Sequence, residues 1–398
     1  MSGRPATPQR VIVLAPRYPH PATRGDQRRV LHIVAGLARR VEVSLVCFGA
    51  GPPLPGGGER VRVVSVRHGL LPAMAANVMT PDLRLPGQVR LYLDAKLRRA
   101  AAREIARGPA PVLHATLARM APYLGLAGTA HRHLDLIDAL GVNMADRAIH
   151  APQPARAALI LEARLLTRYE ARAAAAADSC SLVAADDLTR APELGHAAIV
   201  PNGVDPATFP FVAPRARPPI LLFFGNLGYF PNAAAARFVA QDVLPRVRAH
   251  HPAARLRLAG QRPPAAVRRL ARVEGVDVVG PVAAMAVELH RAAVAVVPMT
   301  TGTGMKNKLL EAFCAGTPVV TNRRGALGVN EARDGRELLL GETPEELASA
   351  CARLLTDEAE RLRLADAARA LVERAYTWDR QIETLLALYA AGARHARR

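Results

Sequence analysis

Short continuous runs of apolar residues recur along the chain, and they alternate with longer stretches in which apolar positions return every three or four residues. The first run, Val11–Ala15, is followed by a Pro/Gly-rich loop from Pro16 to Asp26 and by a helical pattern that ends near Arg40. Continuous apolar runs are typical of strands buried on both faces of a parallel sheet, whereas the longer periodicity is typical of amphipathic helices. The alternation therefore predicts a doubly wound α/β fold with parallel sheets.

The same alternation continues along the chain and predicts one sheet in each half. In the first half, a long helix is predicted at residues 154–177, and further strands at residues 41–48, 61–66 and 181–185 and near residues 112 and 134. In the second half, strands are predicted at residues 220–224, 256–259, 276–279, 294–297 and 319–321. From Pro344 onward the pattern is helical.

The length of the chain, 398 residues, exceeds what one compact core usually holds and suits two domains. The segment Pro201–Asp205 and the proline-rich stretch after it interrupt the pattern between the two halves. We predict a first domain at residues 1–203, a linker at 204–219, a second domain at 220–375 and a C-terminal helix at 376–398. Ligands of doubly wound sheets bind outside the carboxyl ends of the strands, so two facing domains would hold their ligand in a cleft.

Composition narrows the class of protein. Hydrophobic residues make up 50% of the chain and charged residues 22%, which is typical of a globular protein and excludes a disordered or collagen-like chain. The 4 cysteines lie far apart, so neither a disulfide scaffold nor a structural zinc site is expected. No apolar stretch is long enough to span a membrane, and residues 1–10 lack the apolar core of a signal peptide, so we expect a cytoplasmic protein.

The chain is strongly basic, with a formal net charge of +19, and residues 1–150 hold 21 basic against 9 acidic side chains. Nearly all the basic residues are arginine, so the excess reflects either a GC-rich coding bias or an anionic partner such as a phospholipid surface or a nucleic acid. Nucleic-acid binding is disfavoured, because aromatic residues make up only 4% of the chain and no binding module is recognisable.

The segment from Val294 to Thr321 carries the most chemical information. It predicts a strand, a Gly-rich loop, a helix and a second strand. Gly302 and Gly304 allow the backbone to approach a ligand closely, and the N–H groups of about Met305 to Lys308 open the helix. The pattern therefore predicts an anion site, and a diphosphate fits its chemistry.

Three charged side chains lie on or just before the helix that follows this anion site. Lys306 and Lys308 would reinforce it, and Glu311 lies about one helical turn after Lys308 on the same face. A carboxylate in that position can accept hydrogen bonds from the two ribose hydroxyls of a nucleotide, so the pattern predicts a nucleotide-sugar donor site. The alternative is a plain surface ion pair between Lys308 and Glu311.

The loop after the first strand offers a second candidate region. Gly25 and Asp26 stand where the first helix is predicted to begin, and backbone N–H groups there could approach an anionic or sugar ligand. The loop lacks the Gly-x-Gly-x-x-Gly fingerprint, which disfavours a dinucleotide-dependent dehydrogenase. The alternative for Gly25 is a turn glycine that requires a positive φ.

Most of the chain resembles retaining glycosyltransferases of family 4, which have the GT-B fold of two Rossmann-like domains facing each other across a cleft. The resemblance rests on short motifs whose order and spacing match the family. They are Ala15–Asp26, Pro201–Asp205, Phe224–Asn232, Leu258–Gly260, Gly280–Val282, Asn307–Ala312, Gly316–Val320 and Tyr376–Trp378. Three of them, including the Gly-Asn-Leu-Gly-Tyr-Phe-Pro-Asn turn, are similar to sugar transferases of exopolysaccharide and exosortase gene clusters.

The resemblance implies a hexosyltransferase that retains the anomeric configuration and uses a UDP- or GDP-linked donor, with no metal or other cofactor. It also implies a glycan or lipid-linked acceptor, and a C-terminal helix that crosses back to the first domain. Lys308 and Asp138 are the candidate catalytic residues, and Gly25 and Asp26 are the candidate acceptor-loop residues. The predicted donor-binding residues are Gly302, Thr303, Gly304, Met305, Lys306, Asn307, Leu309, Glu311 and Asn226.

The sequence departs from the family at several functional positions. Thr303 replaces the first glutamate of the family's Glu-x7-Glu pair, so the identity of the donor sugar stays open. Asn226 and Pro231 stand where many members carry an arginine and a lysine that bind the diphosphate, and we expect Lys306 and Lys308 to take over that role. Ile137 replaces the histidine of a pattern that ends at Asp138, which could equally cap the following helix.

These departures leave two alternative functions open. One is a non-catalytic sugar-binding or scaffold member of a polysaccharide assembly complex. The other is a GT-B nucleotide-sugar epimerase, which would need acid and base groups on both sides of the sugar ring that the sequence does not reveal.

The arginine-rich stretch Leu85–Arg107 suggests a membrane surface as a partner. It is compatible with a helix, and Leu91, Tyr92 and Leu97 would supply apolar contacts to an anionic bilayer. We therefore expect peripheral association with the inner face of the cell membrane. The alternative is an ordinary amphipathic helix that packs on the first sheet with its arginines in water.

Overall fold

The structure, a computed structural model, describes residues 8–56, 60–69, 74, 85–108, 111–149, 151–301 and 304–395. The chain forms two compact units. The first contains the chain up to Pro201 together with the segment from Trp378 onward, and the second is Asn202–Thr377. Each unit is built around one parallel sheet.

In the described part of the first unit, the strands form one sheet in the order β3-β2-β1-β4-β5-β6-β7, and all neighbours are parallel. Strands β1 to β7 are Arg10–Ala15, Glu42–Phe48, Val61–Val66, Val112–Thr116, His131–Ile137, Ser179–Leu182 and Ala198–Ile199. Every residue of β1 is buried, which explains its continuous apolar run. Ile12 and Leu14 face one apolar cluster and Val11 and Val13 face the other, as the two-residue period of a strand requires.

The described residues of the second unit form a parallel sheet in the order β10-β9-β8-β11-β12-β13. Strands β8 to β13 are Ile220–Phe224, Arg255–Ala259, Val276–Gly280, Val294–Val296, Val319–Thr321 and Leu339–Leu340. Apolar clusters lie on both faces of this sheet too, so the alternating pattern of the sequence predicts its class correctly.

Helices connect the strands in both units. The α-helices of the first unit are Gly25–Ala38, Gly87–Arg90, Ala95–Ile105, Leu140–Ile149, Ala155–Ala176, Ala185–Arg190 and Trp378–His395. Those of the second unit are Phe230–Phe238, Leu244–His250, Ala265–Arg268, Met285–Arg291, Asn307–Ala315, Arg323–Ala326, Pro344–Thr356 and Glu358–Ala375. Turns of 3₁₀-helix occur at Ala118–Leu126, Pro192–Leu194 and Arg269–Arg272, and a π-helical turn at Val239–Val243.

The C-terminal helix crosses back to the first unit, as predicted. The Trp378 indole stacks on the His32 ring with a centroid distance of 4.7 Å, and Ile382 is buried among residues of the first unit. The helix lies so close to Gly36 that a Cβ atom there would sit 2.5 Å from Cγ1 of Ile382. A side chain at position 36 would therefore push this helix away.

The arginine-rich stretch 85–107 is not one continuous helix. It forms a short helix, Gly87–Arg90, and a longer one, Ala95–Ile105, whose N-terminus is capped by the Asp94 side chain. Leu97 is wholly buried in the first apolar core, so its predicted role as a membrane contact is wrong. In the described residues no helix combines the length and apolar character needed to cross a membrane.

Candidate functional site

The second sheet has a topological switch point between β8 and β11, where the order of strands reverses direction. Ligands of doubly wound sheets bind at the carboxyl ends of the strands at such a point. The loops that follow these two strands are residues 225–229 and 297–306, and the second loop leads into the helix Asn307–Ala315. The topology therefore brings Asn226 to the same edge of the sheet as the predicted anion site.

Two glycines let the chain turn tightly at this edge. Gly225 follows β8 with φ 136°, and Gly260 follows β9 with φ 153°, both in the region that favours glycine. A Cβ atom on Gly260 would lie 1.7 Å from the carbonyl oxygen of Gly225, so the two backbones could not approach with any side chain there. This contact explains the glycine of the Leu258–Gly260 motif.

Lys308 occupies a buried position beside these turns. Its side chain is only 9% exposed, and its Nζ atom donates a hydrogen bond to Oδ1 of Asn232 over 2.8 Å. Nζ also lies 4.4 Å from the centroid of the Phe223 ring, within the range of a cation–π contact. The Asn232 side chain is fixed in turn, because its Nδ2 donates to the carbonyl oxygen of Asn226 over 2.9 Å.

The pKa of Lys308 is lowered to about 7, mainly by burial and also by the nearby positive charge of Lys306, while Glu311 acts in the opposite direction. Asn232, which hydrogen-bonds Nζ, is a neutral amide and compensates the charged form only in part. An anion bound beside Nζ would favour the protonated lysine. Because Lys308 is buried, the alternative of a plain surface ion pair with Glu311 does not describe it.

The helix Asn307–Ala315 begins without a side-chain cap. Its capping residue, Lys306, makes no side-chain hydrogen bond to the first N–H groups, and its own Nζ donates to the carbonyl oxygen of Gly304 over 2.6 Å. Asn307 is held from the other side, because its Oδ1 accepts a hydrogen bond of 2.9 Å from Nδ2 of Asn202. The helix therefore presents N–H groups and lysines, which together attract anions.

The loop before this helix is held by hydrogen bonds to Asn322, which follows the strand β12. The Asn322 side chain accepts a hydrogen bond from the N–H of Met299 and donates one to its carbonyl oxygen, each over 3.0 Å. Met305 packs against Gly328, where a Cβ atom would lie 2.6 Å from the Met305 Cβ. These contacts fix both ends of the Gly-rich loop. Two of its predicted site residues, Gly302 and Thr303, lie outside the described residues.

The remaining predicted donor residues gather around Lys308. Glu311 is partly buried on the same helix, and its charge acts on Lys308. Leu309 is wholly buried in the apolar cluster under the helix, so it supports the site through packing. Asn226 is exposed, and its Oδ1 accepts a hydrogen bond of 3.1 Å from the N–H of Gly228, which shapes the loop after β8.

Sequence reasoning missed three residues of this site. Asn232 holds Lys308, Asn202 holds Asn307, and Phe223 lies against the ammonium group. Asn232 and Asn202 stand in two of the recognised motifs, so those motifs could have indicated them as site residues. Among the described residues, no group of three or more His, Cys, Asp or Glu side chains is arranged to hold a metal ion.

The predicted acceptor-side residues lie in the first unit. Gly25 is the first residue of a helix and does not have a positive φ, so the turn-glycine alternative is wrong. Asp26 follows it and forms an ion pair with Arg17, with 3.0 Å between the charged atoms. Asp138 is partly exposed just after β5, and its backbone N–H donates to the carbonyl oxygen of Leu136 over 2.8 Å.

The other aspartate of that motif, Asp135, has a structural position. It is wholly buried and pairs with the Arg29 guanidinium through two hydrogen bonds of 2.7 and 3.0 Å. Ser181 donates a third hydrogen bond to it, and the buried rings of His114 and His133 surround the pair. Burial lowers the pKa of His114 to about 4, so this histidine is neutral near pH 7. The charges of Asp135 and Arg29 therefore balance each other within their ion pair.

The comparison with protein families falls on the same region. Residues 218–357 match the family described as Glycosyl transferases group 1. The matched segment lies within the second unit. It contains both loops of the switch point and the whole helix Asn307–Ala315.

The chain is also similar to a curated relative. The glycogen synthase of Mycobacterium tuberculosis is 30% identical to this chain over 243 residues. The match covers 55% of this chain and 55% of the relative, so the chain spans about half the length of the curated relatives it matches.

Solved structures show the fold over nearly the whole chain. Sucrose-phosphate synthase from Thermosynechococcus elongatus aligns with a TM-score of 0.70 at 19% identity, covering 96% of this chain and 98% of that chain. Anabaena HepE in complex with UDP-glucose gives 0.63 at 16% identity, covering 95% and 99%. The trehalose 6-phosphate synthase of Burkholderia multivorans gives 0.66 at 15% identity, covering 98% and 100%. The predicted fold class, two Rossmann-like parallel-sheet domains of the GT-B type, is confirmed.

Proposed function

We propose that this chain is a glycosyltransferase that moves a hexosyl group from a nucleotide-sugar donor to a glycan or lipid-linked acceptor with retention of configuration. The observation that carries the proposal is the buried Lys308 at the start of a helix without a side-chain cap, at the switch point of the segment that matches the group 1 glycosyltransferases. Among the described residues, the hydrogen-bond partner of this buried ammonium group is a neutral amide, which suits a ligand that supplies negative charge.

In the proposed route, the departing diphosphate itself accepts the proton of the acceptor hydroxyl. The acceptor hydroxyl oxygen forms a bond to the anomeric carbon on the face from which the nucleoside diphosphate departs. The bond from that carbon to the diphosphate breaks, its electron pair leaves with the diphosphate, and a departing phosphate oxygen takes the proton of the acceptor. Lys308, Lys306 and the helix N–H groups stabilise the growing charge, each contributing about 2 to 4 kcal/mol. We expect no metal to be needed.

Uridine diphosphate hexoses are the first donors to test. The structural neighbour HepE is described in complex with UDP-glucose, and the matched M. tuberculosis relative is a glycogen synthase. A thermal-shift screen of UDP- and GDP-linked hexoses tests the proposal, because a ligand at 100 times its Kd stabilises the folded state by about 2.7 kcal/mol. We expect one nucleotide sugar to stabilise the protein and then to be consumed when an acceptor extract is added. Failure of every nucleotide sugar to bind would reject the proposal.

Replacing Glu311 by alanine is expected to weaken binding of both uridine and UDP by about tenfold, because the carboxylate is proposed to accept hydrogen bonds from the ribose hydroxyls. The fold should persist, since Glu311 is only partly buried. Calorimetric titration of each ligand measures the effect, and Glu373→Ala, which removes an exposed glutamate of the same unit, is a matched control. Unchanged binding of uridine would mean that Glu311 does not contact the ribose and is only a residue on the surface of its helix.

The proposal places the reaction in the cytoplasm at the inner face of the membrane, where lipid-linked acceptors are presented. Support comes from the helix Ala95–Ile105, which exposes Lys96, Arg98, Arg99 and Arg103. Basic groups near an anionic surface contribute about 1 kcal/mol each and lose it as salt screens the field.

We therefore expect sedimentation with vesicles that increases with anionic lipid content and decreases with salt. Reversing two charges, R98E with R99E, should release the protein from those vesicles. The same charge reversal at two exposed arginines of the second unit, R336E with R363E, serves as the control. Sedimentation that does not depend on the anionic lipid content would reject the proposed association with the membrane.

A further inference from the structure

The first sheet has its own topological switch point, between β1 and β4. The loop after β1 carries Arg17 and Arg24, and the turn after β4 carries Arg119. The three arginines therefore gather at the carboxyl edge of this sheet, where ligands of such sheets bind. Burial is the main cause that lowers the pKa of Arg119, and Arg17 and Arg24 lie near enough to lower it further, while Asp26 acts in the opposite direction.

Arg119 is a partly buried cation that pairs with no carboxylate of the described residues. Its guanidinium lies over the Tyr92 ring, with 5.6 Å from Cζ to the ring centroid, and it hydrogen-bonds the Gln88 side chain. In the part of the chain that the structure describes, it forms no ion pair, and its buried Nε atom has no hydrogen-bond partner. Burying a charge without a counter-charge is costly, so a cation of this kind calls for an external anion.

Its neighbours do not supply the missing negative charge. Asp26 already pairs with Arg17, whose NH2 group also donates to the Tyr92 hydroxyl over 3.4 Å. Arg24 is exposed at the capping position of the helix Gly25–Ala38. Within the described part of the chain, one carboxylate thus faces three guanidinium groups, which leaves an excess of two positive charges.

Two backbone features shape this place for a ligand. Leu117, just before Arg119, has φ 67°, a left-handed conformation that is uncommon for a leucine. Its N–H donates to the carbonyl oxygen of the buried Asp135 over 2.7 Å, so the turn is anchored in the core. At the facing loop no atom lies within 4 Å of a Cβ built on Gly25, so the start of the helix is open.

We propose that Arg17, Arg24 and Arg119 bind a phosphoryl group of the acceptor, so that the acceptor is a phosphorylated sugar or a lipid-linked phosphate. The inference rests on the proposed function, because it gives a chemical class to the acceptor of that reaction. Guanidinium groups bind phosphate oxygens through paired hydrogen bonds, and an open helix N-terminus favours the same charge. Asp26 positions Arg17 in this arrangement and does not contact the phosphoryl group itself.

The test measures binding of phosphorylated probes to the full chain with UDP present at saturation, so that the donor site is occupied. Glucose 6-phosphate probes a soluble phosphomonoester, with glucose as the uncharged control. A long-chain isoprenyl phosphate in neutral phosphatidylcholine vesicles probes the lipid-linked source. We expect at least one phosphorylated probe to bind, with an affinity that falls as salt rises, and the arm that binds identifies the source.

Arg119→Ala should weaken that binding by about tenfold or more, and Arg119→Lys should restore only part of it, because lysine keeps the charge but loses the paired geometry. Arg168→Ala, at an exposed arginine of the same unit, is the matched control and should bind as the unaltered protein does. Binding of UDP itself reports on the donor site in every variant. Failure of the unaltered protein to bind UDP or any nucleotide sugar of the screen would overturn the proposed function. Two results would overturn this inference alone, provided that UDP binds normally. One is that phosphorylated probes bind no better than glucose. The other is that the Arg119→Ala variant binds them as tightly as the unaltered protein does.

Discussion

Replacing Lys308 by methionine is expected to weaken UDP binding by about 100-fold, which corresponds to about 2.7 kcal/mol, while uridine binding changes little. The ammonium group is buried, and a bound diphosphate would supply negative charge to it in an environment that screens charges weakly. Methionine fills a similar volume without charge, so the core around Phe223 keeps its packing. Calorimetric titration with UDP and with uridine separates the contribution of the diphosphate from that of the nucleoside.

Two controls sharpen this result. Lys306→Ala removes a cation that is only partly buried, so its effect should be several times smaller. The melting temperature of Lys308→Met should equal or exceed that of the unaltered protein, because burying an ammonium group costs free energy. Equal loss of UDP and uridine binding would indicate a disturbed fold, and unchanged UDP binding would place the diphosphate elsewhere.

Binding should also depend on pH because of this lysine. The pKa of free Lys308 is lowered to about 7, chiefly by burial, and a bound diphosphate would raise it. The free protein therefore takes up a proton when UDP binds above pH 7, and the affinity falls as pH rises further. The Lys308→Met variant should lose this proton uptake, which titrations in buffers of different ionisation enthalpy detect.

Removing Asp135 is expected to destabilise the protein by about 3 to 5 kcal/mol, the largest effect on stability that we predict. The Asp135 carboxylate and the Arg29 guanidinium are both buried, so Asp135→Ala leaves an uncompensated charge in the first core. Burial alone would raise the pKa of Asp135, but Arg29 outweighs it and lowers that pKa, which keeps the pair ionised. Urea unfolding measures the loss of stability.

The matched control is Asp146→Ala, which breaks a similar two-bond pair with Arg190 at the surface of the same unit. That change should cost less than about 1 kcal/mol, because water solvates both released groups. Replacing Arg29 and Asp135 together by leucine should recover much of the stability, since no charge stays buried. Equal effects of the Asp135 and Asp146 substitutions would contradict the structural role of the buried pair.

The strands and the main site helix were predictable because their signals are local. Val11–Ala15 and Ile220–Phe224 are continuous apolar runs, and both are central strands of parallel sheets. Lys308 and Glu311 are separated by about one helical turn, so their common helix could be predicted from spacing alone. Each of these inferences needs only the periodicity of a short segment.

The partners of Lys308 were not predictable, because they depend on contacts between distant segments. Asn232 is 76 positions away from Lys308 and reaches it only through the order of the strands and the turn at Gly225. The burial of Lys308 has the same origin, since Phe223 lies on a different strand. Periodicity gives a residue's face on its own element and says nothing about what covers that face.

The motif Asp135–Asp138 shows a similar limit. Sequence comparison favoured Asp138 as the functional aspartate, and its role beside the reacting carbon stays a prediction. The structure shows that Asp135 is engaged by Arg29, 106 positions away. Ile137, between the two, has a positive φ of 64°, so the strand ends there in a turn that its β-branched residue does not indicate.

The most direct measurement is a crystal structure of the protein with bound UDP-glucose. The account predicts the diphosphate at Nζ of Lys308 and the N-terminus of the helix Asn307–Ala315, with the ribose hydroxyls at Glu311. A diphosphate bound away from Lys308, or a ribose that does not contact Glu311, would contradict the proposed donor site.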